Sequence, residues 1–317
     1  MAANWMRRTV VVAACASAAL LAACGSSTTE SALTPERFIA FGDAYSDAGQ
    51  KGSLYTVNDG SVGNWTQQLA SRYSKTLTPV STGGLSYATG NARVTAKPDA
   101  AGDATTLTIT EQVDRFLATG SFKGNDVVFI NAGPSDVIAG MAAVRAGTLT
   151  PADMVAASRK AGQELAAQVR RLVTAGAQHV MVTGTYDLGK TPWATAINQV
   201  SLLSDASSRF NDGLLVNIVD LGANVLYLDS AYYVNLYVSS PGSYGFDNAT
   251  TAVCTSVDPG NGIGTGTGQV NSARCNTSTL LPDAKQDKYV FADQVYMTPS
   301  AHRQLGNYAY DRLRARW

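Results

Sequence analysis

The chain has 317 residues, of which 45% are hydrophobic and 15% charged, enough for one large α/β domain with a sizeable core and unlike a disordered polymer. Lysine plus arginine and aspartate plus glutamate both total 24, so no basic excess points to nucleic acid. Two histidines, His179 and His302, exclude a multi-histidine metal site and set aside zinc held by Cys/His clusters; no cofactor is expected.

The N-terminus reads as a targeting segment. Arg7 and Arg8 precede an apolar, small-residue run from Thr9 to Ala23, which is short for a membrane span. It ends Leu21-Ala22-Ala23-Cys24, followed by Gly25-Ser26-Ser27. This resembles a bacterial lipoprotein signal covering residues 1–23, in which Cys24 becomes the first residue and carries the lipid. An ordinary cleaved secretory signal is the alternative. Gly25 and Ser26 resemble outer-membrane sorting signals. Loss of Arg7 and Arg8 would leave the rest mildly acidic, so membrane attachment would come from acyl chains rather than charge. The Ser/Thr-rich residues 24–35 read as a tether, and residues 36–317 as one domain.

The first strand is Phe38-Ile39-Ala40-Phe41, an apolar run ending in Gly42-Asp43. Residues 60–73 read as a loop leading into an amphipathic helix. A second helix starts at Thr108, with Glu111 three residues on as in a capping box, or at Thr110, and runs to about Leu117. Residues 126–131 form a continuous apolar strand suited to a sheet covered on both faces. Thr150-Pro151 opens the clearest helix, carried by Met154, Ala157, Ala161, Leu165, Val169 and Leu172 at spacings of three and four. Gly176 stops it. Strand 179–182, a helix over 196–221 and strand 225–228 complete the rhythm. Strands alternating with helices predict an α/β fold, a three-layer α/β/α sandwich around a parallel sheet.

Cys254 and Cys275 flank a Gly/Ser/Thr/Asn-rich stretch. In an exported protein a disulfide closing it fits the compartment and is worth roughly 3 kcal/mol by the loop-entropy model. Two unrelated thiols are the alternative.

Six blocks, in order, carry a resemblance. They are Gly42-Asp43-Ala44-Tyr45-Ser46-Asp47-Ala48-Gly49, Gly83-Gly84-Leu85-Ser86-Tyr87-Ala88-Thr89-Gly90-Asn91-Ala92-Arg93, Asn131-Ala132-Gly133-Pro134-Ser135-Asp136, Tyr186-Asp187-Leu188-Gly189-Lys190-Thr191-Pro192, residues 241–254, and Asp293-Gln294-Val295-Tyr296-Met297-Thr298-Pro299 with His302 after it. Together they resemble the SGNH (GDSL) hydrolases, a lipase and esterase family. The resemblance implies a serine nucleophile, a histidine base, an aspartate three residues before it, and an oxyanion hole of two backbone N–H groups and an asparagine.

Carried over by position, the nucleophile is Ala44, the hole's glycine is Asn91, its asparagine is Ser135 and the base is Tyr296. Only the acid, Asp293, is kept. A missing triad member leaves roughly 10³–10⁴-fold catalysis over water, and a missing oxyanion donor costs about another 10²–10³-fold. Among substitutes, Ser46 reads as a helix-capping hydroxyl and His302 as a structural residue. Tyr296 is a poor base because its ordinary pKa is about 10. His179 reads as a half-buried strand residue, and Asp43, Asp47 and Asp136 as loop-holding carboxylates. The expectation is a non-catalytic lipoprotein on the periplasmic or outer face of an outer membrane. It would hold an acyl-ester or glycan ligand in the old cleft or serve as an accessory to another envelope protein. An active carboxylic-ester hydrolase with a rearranged site is the alternative.

Overall fold

The computed structural model describes residues 31–317. Cys24, the expected signal segment and the first part of the expected tether lie outside the described residues. The tether's last residues are not free of the domain: Leu33 is buried and its N–H donates to the Trp317 carbonyl at 3.3 Å.

Four strands, β1 (Arg37–Phe41), β2 (Asp126–Asn131), β3 (His179–Thr183) and β4 (Val225–Tyr227), form a parallel sheet in the order β1-β2-β3-β4. Ser86 extends it beyond β1 as an isolated parallel bridge to Ala40. Arg37 and Asp126 are register partners, and the Arg37 Nε donates to Asp126 Oδ1 at 2.8 Å, pinning the first strand pair. Alternation along each strand divides the core in two. Phe38, Ala40, Val127, Phe129 and Met181 face one apolar layer, while Ile39, Phe41, Val128, Ile130, Val180 and Val182 face the other.

On the first face lie α1 (Trp65–Arg72) and α8 (Pro299–Arg316), through Trp65, Leu69, Leu305 and Ala309. On the second lie α2 (Ile109–Thr119), through Ile109, Val113 and Phe116, and α4 (Pro151–Thr174), through Ala161, Leu165, Val169 and Leu172. This is the three-layer α/β/α arrangement expected from the rhythm of the chain. Thr108, not Thr110, caps α2, in a full capping box with Glu111. Thr150 caps α4 through the Asp153 N–H, with Pro151 at the first helical position.

The expected helix over 196–221 is instead three pieces: α5 (Pro192–Ala196), α6 (Val200–Val216) and a 3₁₀ turn at Val219–Leu221. Asn198, at φ 54, interrupts the helical path between the first two. Three further helices were not anticipated from the pattern: α3 (Pro134–Arg145), α7 (Ser230–Ser239) and α8. The same holds for a small parallel pair, β5 (Asn248–Ala252) with β6 (Tyr289–Phe291). Cys254 and Cys275 are bonded, closing the polar loop. Among the described residues no helix is long and apolar enough to cross a membrane.

Helices α4 and α6 approach through reciprocal glycines. A Cβ at Gly162 would lie 2.0 Å from the Phe210 carbonyl oxygen, and one at Gly213 would lie 2.1 Å from that of Arg159. Neither neighbour is a flexible side chain, so the helices themselves must separate. Gly162→Ala is expected to cost about 1–3 kcal/mol despite alanine's better helix propensity. Urea unfolding checks this; an unchanged midpoint contradicts it.

Candidate functional site

The turn after β1 is fixed from two sides. Gly42 donates its N–H to Gln112 Oε1 at 2.8 Å, and its carbonyl accepts Gln112 Nε2 at 2.9 Å, so one amide side chain from α2 clamps both peptide groups. Asn131, at the end of β2, crosses beneath: a Cβ at Gly42 would lie 2.0 Å from Asn131 Oδ1, so only glycine fits. Gln112 is marked in sequence only as a polar residue within the buried stripe Ile109, Val113 and Phe116, and Asn131 opens the third motif block without its contact to Gly42 being legible there.

Asp43, fully buried, accepts the Tyr45 N–H at 3.1 Å and Asn131 Nδ2 at 2.7 Å on Oδ1, and the Ser135 hydroxyl at 3.4 Å on Oδ2. Asp47 accepts the N–H groups of Gly49 and Gln50 at 2.8 Å each on Oδ1 and that of Gly90 at 2.7 Å on Oδ2, tying the first block to the second. Asp136 accepts the Val94 N–H at 3.1 Å and pairs with Arg93. Burial pushes each of these three carboxyls up to about 6, opposed by backbone donors at Asp43 and Asp47 and by Arg93 at Asp136. All three hold loops, the role their sequence context implies.

Ser46 does not cap a helix. It sits in the turn whose Ser46 N–H donates to the Asp43 carbonyl at 3.1 Å, and its buried hydroxyl has no hydrogen-bond partner among the described residues.

Ser135, Asp293 and Tyr296 gather beside Asp43, the neighbour of Ala44, and Asn91 adjoins them only through its chain neighbour Gly90. Ser135, at the second residue of α3, reaches the carboxylate of Asp43, the neighbour of Ala44. The Tyr296 phenol lies beside Ser135 and near Asp43 and Asp293, without completing a hydrogen bond. Tyr55 bridges toward the second block. Its ring meets Tyr296 edge-on at 5.6 Å, and its hydroxyl would be 2.1 Å from a Cβ at Gly90.

The place is closed. Ala44, Asn91, Ser135, Asp293 and Tyr296 are 2, 6, 0, 0 and 0% exposed. Asp293 Oδ1 accepts the N–H groups of Val295 at 2.8 Å and Tyr296 at 2.6 Å, and its Oδ2 accepts that of Ser272 at 3.0 Å. The retained acid therefore supports backbone rather than a base. Burial raises its pKa, opposed first by the Ser272 side chain and then by those three backbone donors. Burial also drives the Tyr296 phenol well above 10, so it stays neutral. Asn91, at φ 64, uses its side-chain amide to bond the Gly262 carbonyl at 3.1 Å. Among the described residues no cluster of three or more His, Cys, Asp or Glu has metal-ligand geometry.

A family model described as GDSL-like lipase/acylhydrolase matches residues 38–309. The chain belongs to that family. An uncharacterized protein in the trpE-trpG intergenic region of Pseudomonas putida is 27% identical over 309 residues, covering 88% of this chain and 48% of the relative. The GDSL esterase/lipase LTL1 of Arabidopsis thaliana is 32% identical over 149 residues, covering 44% of this chain and 38% of the relative. The chain thus spans less than half the length of these curated relatives. Among solved structures, Est24, a carbohydrate acetylesterase from Sinorhizobium meliloti, is 13% identical with a TM-score of 0.46, covering 89% of this chain and 100% of that one. An aryl esterase of M. smegmatis is 15% identical with a TM-score of 0.44, covering 89% and 99%.

Within this GDSL domain His302 is not placed to serve as a base. It is 1% exposed on α8, packs on the Tyr45 ring at 5.3 Å, and its Nδ1 has no partner among the described residues. Burial depresses its pKa to about 3. An unfolded histidine takes up a proton below about 6.5, while the folded one does not, so His302 contributes stability that is lost as pH falls through that value. The loss is about 1.4 kcal/mol per pH unit down to about 3. Comparing unfolding free energies at about pH 7.5 and about pH 5, His302→Phe is expected to remove roughly 2 kcal/mol of the wild-type decline. Identical pH dependence in both proteins would contradict a buried neutral imidazole. His179 lies at the start of β3, half-buried, with Nδ1 3.3 Å from the Asp126 carbonyl and its ring edge-on to Trp317.

Proposed function

We propose that this GDSL-family chain is a non-hydrolysing member, held at the bacterial envelope by lipid on Cys24, with a ligand-holding or accessory role. The observation that carries this reading is Ala44, a methyl group at the nucleophile position inside a centre with almost no exposed surface. A methyl carbon has no lone pair with which to attack a carbonyl, and the family's base position holds a phenol in place of an imidazole. The retained Asp293 is committed to three backbone N–H groups. A rearranged active site has little to recruit. Ser46 is buried without a base, and His302, the imidazole on the same side of the sheet, is neutral and held by aromatic packing.

An acyl-ester or glycan ligand is the class that the old cleft would accept, and it reaches position 44 only when covering segments move. Turnover of p-nitrophenyl acetate, butyrate and octanoate by the purified protein tests the reading, with background rates expected for all three. Steady turnover that follows the protein through successive columns would overturn it. The lipid is tested separately: Cys24→Ser is expected to shift the protein from the membrane to the soluble fraction.

A further inference from the structure

Asn91 and Asp293, at two of the family's site positions, both hold the same segment. Asn91 bonds the Gly262 carbonyl through its side chain, and Asp293 accepts the Ser272 N–H. Both partners belong to the loop closed by the Cys254–Cys275 disulfide. The loop has structure of its own, through an antiparallel bridge between Val257 and Val270, Asn271 Nδ2 on Asp258 at 2.8 Å, and an Arg274–Asp258 pair at 3.2 Å. It is a folded flap rather than a slack strand.

The flap meets the domain through a set of polar contacts and one apolar anchor, Ile263, which joins the main core. Asn261 Nδ2 donates to the Ala101 carbonyl at 3.1 Å, and Asn58 holds the neck through its N–H to the Cys275 carbonyl at 2.9 Å. Ile263 is buried, and Gly264 lies so close over Ala100 that a Cβ there would be 2.1 Å from its carbonyl oxygen. Beside this contact an open groove of about 360 Å³ runs along Asn261, Gly264 and Gly266 of the flap and Arg93, Ala139 and Ala142 of the body. A segment with its own hydrogen bonds and a disulfide-closed neck can lift as a unit without unfolding the domain.

We propose that the 254–275 loop is a latched cover over the former catalytic centre, with Asn91 as the latch, and that its release opens the route to position 44. This rests on the reading of that centre as sealed and non-hydrolysing. The chemistry of asparagine suits a latch at this position. It tolerates the left-handed backbone that a glycine would occupy, and it adds the amide that grips Gly262.

The test is cysteine labelling of the full chain with N-ethylmaleimide, read by mass spectrometry at the peptide that carries the reporter. Ala100→Cys reports on the seat directly beneath the flap, Ala44→Cys on the centre, and Ala166→Cys, buried on α4, on general loosening. Each is combined with Asn91→Gly and Asn261→Ala, which keep the disulfide and the backbone conformation, and separately with Cys254→Ser and Cys275→Ser. The first pair is expected to speed labelling at positions 100 and 44 by about tenfold or more, as loss of two ordinary hydrogen bonds implies, with position 166 unchanged. Acceleration at 100 without 44 would show a mobile flap that guards nothing and would overturn the proposal, as would equal rates at all three positions or no change anywhere. If the double serine variant fails to fold, the latch variants still decide. Ester turnover by the unaltered chain would end the non-hydrolysing reading and leave this labelling pattern standing.

Discussion

Ala44→Ser alone is expected to leave ester turnover at background, and only Ala44→Ser combined with Tyr296→His to raise it. Triad members act as a unit: removing the serine or the histidine alone costs about as much as removing both, roughly 10⁶-fold. Adding a serine hydroxyl beside a neutral, buried phenol therefore recovers nothing, because no group takes its proton. The pair supplies nucleophile and base together, and a gain of about 10²-fold over either single variant is expected, with the full triad rate out of reach. The shortfall has a structural cause. Asp293 already accepts three backbone N–H groups, so an imidazole at position 296 would have to displace one to be oriented. Initial rates on p-nitrophenyl acetate read all three variants. Full activity of Ala44→Ser alone would show that another residue supplies the base and would leave Tyr296 without the role assigned to it.

Asp293→Ala is expected to destabilise the fold by about 3–6 kcal/mol. In a working hydrolase the acid of the triad orients a base, and its loss falls mainly on rate. Here the carboxylate is fully buried and closes the turn Asp293–Tyr296 on one oxygen while anchoring Ser272 on the other. Alanine would strand three N–H groups away from water, each costing about 1–3 kcal/mol, with some relief from relaxation. Asp293→Asn keeps one acceptor oxygen but turns an NH₂ toward a donor, so an intermediate loss is expected. Urea unfolding at neutral pH measures both. An unchanged midpoint for Asp293→Ala would mean that the carboxylate is not structural, and would return it to the catalytic role that its sequence position implies.

Much of the fold is legible in the chain because its signals are local. The strands at 38–41, 126–131, 179–182 and 225–228 are short apolar runs, and burial on both faces of a parallel sheet requires that composition. Helix α4 announces itself through Thr150-Pro151. Thr298-Pro299 carries the same cap signature, with Thr298 accepting the Ala301 N–H, yet α8 hides because those residues also read as the tail of a family block. Helix α3 begins at Gly133 without a side-chain cap, and α7 is a run of tyrosines and valines with no clear period. The break at Asn198 is a backbone event that hydrophobic spacing does not record.

At the site, the choice of positions 44, 91, 135, 293 and 296 rests on motif order, and the structure places Ser135, Asp293 and Tyr296 beside Asp43, next to Ala44. Their present roles depend on contacts made across long stretches of chain. Asn91 holds Gly262, Ser135 turns to Asp43, and Asp293 holds Ser272. Tyr55 closes against Gly90 and Tyr296, and Gln112 clamps Gly42. No spacing rule connects a glutamine in a helix to a peptide group 70 residues earlier. Such contacts become visible only once the sheet has placed both ends.

The most direct measurement of whether this centre cleaves esters is intact-mass analysis of the purified protein after incubation with a fluorophosphonate. A serine activated by a neighbouring base forms a stable phosphonyl adduct, whereas a methyl group at position 44 and unactivated serines elsewhere do not. An unshifted mass is predicted for the native chain, and an adduct at position 44 in the Ala44→Ser, Tyr296→His pair. A stoichiometric adduct on any serine of the native protein would contradict a non-hydrolysing centre.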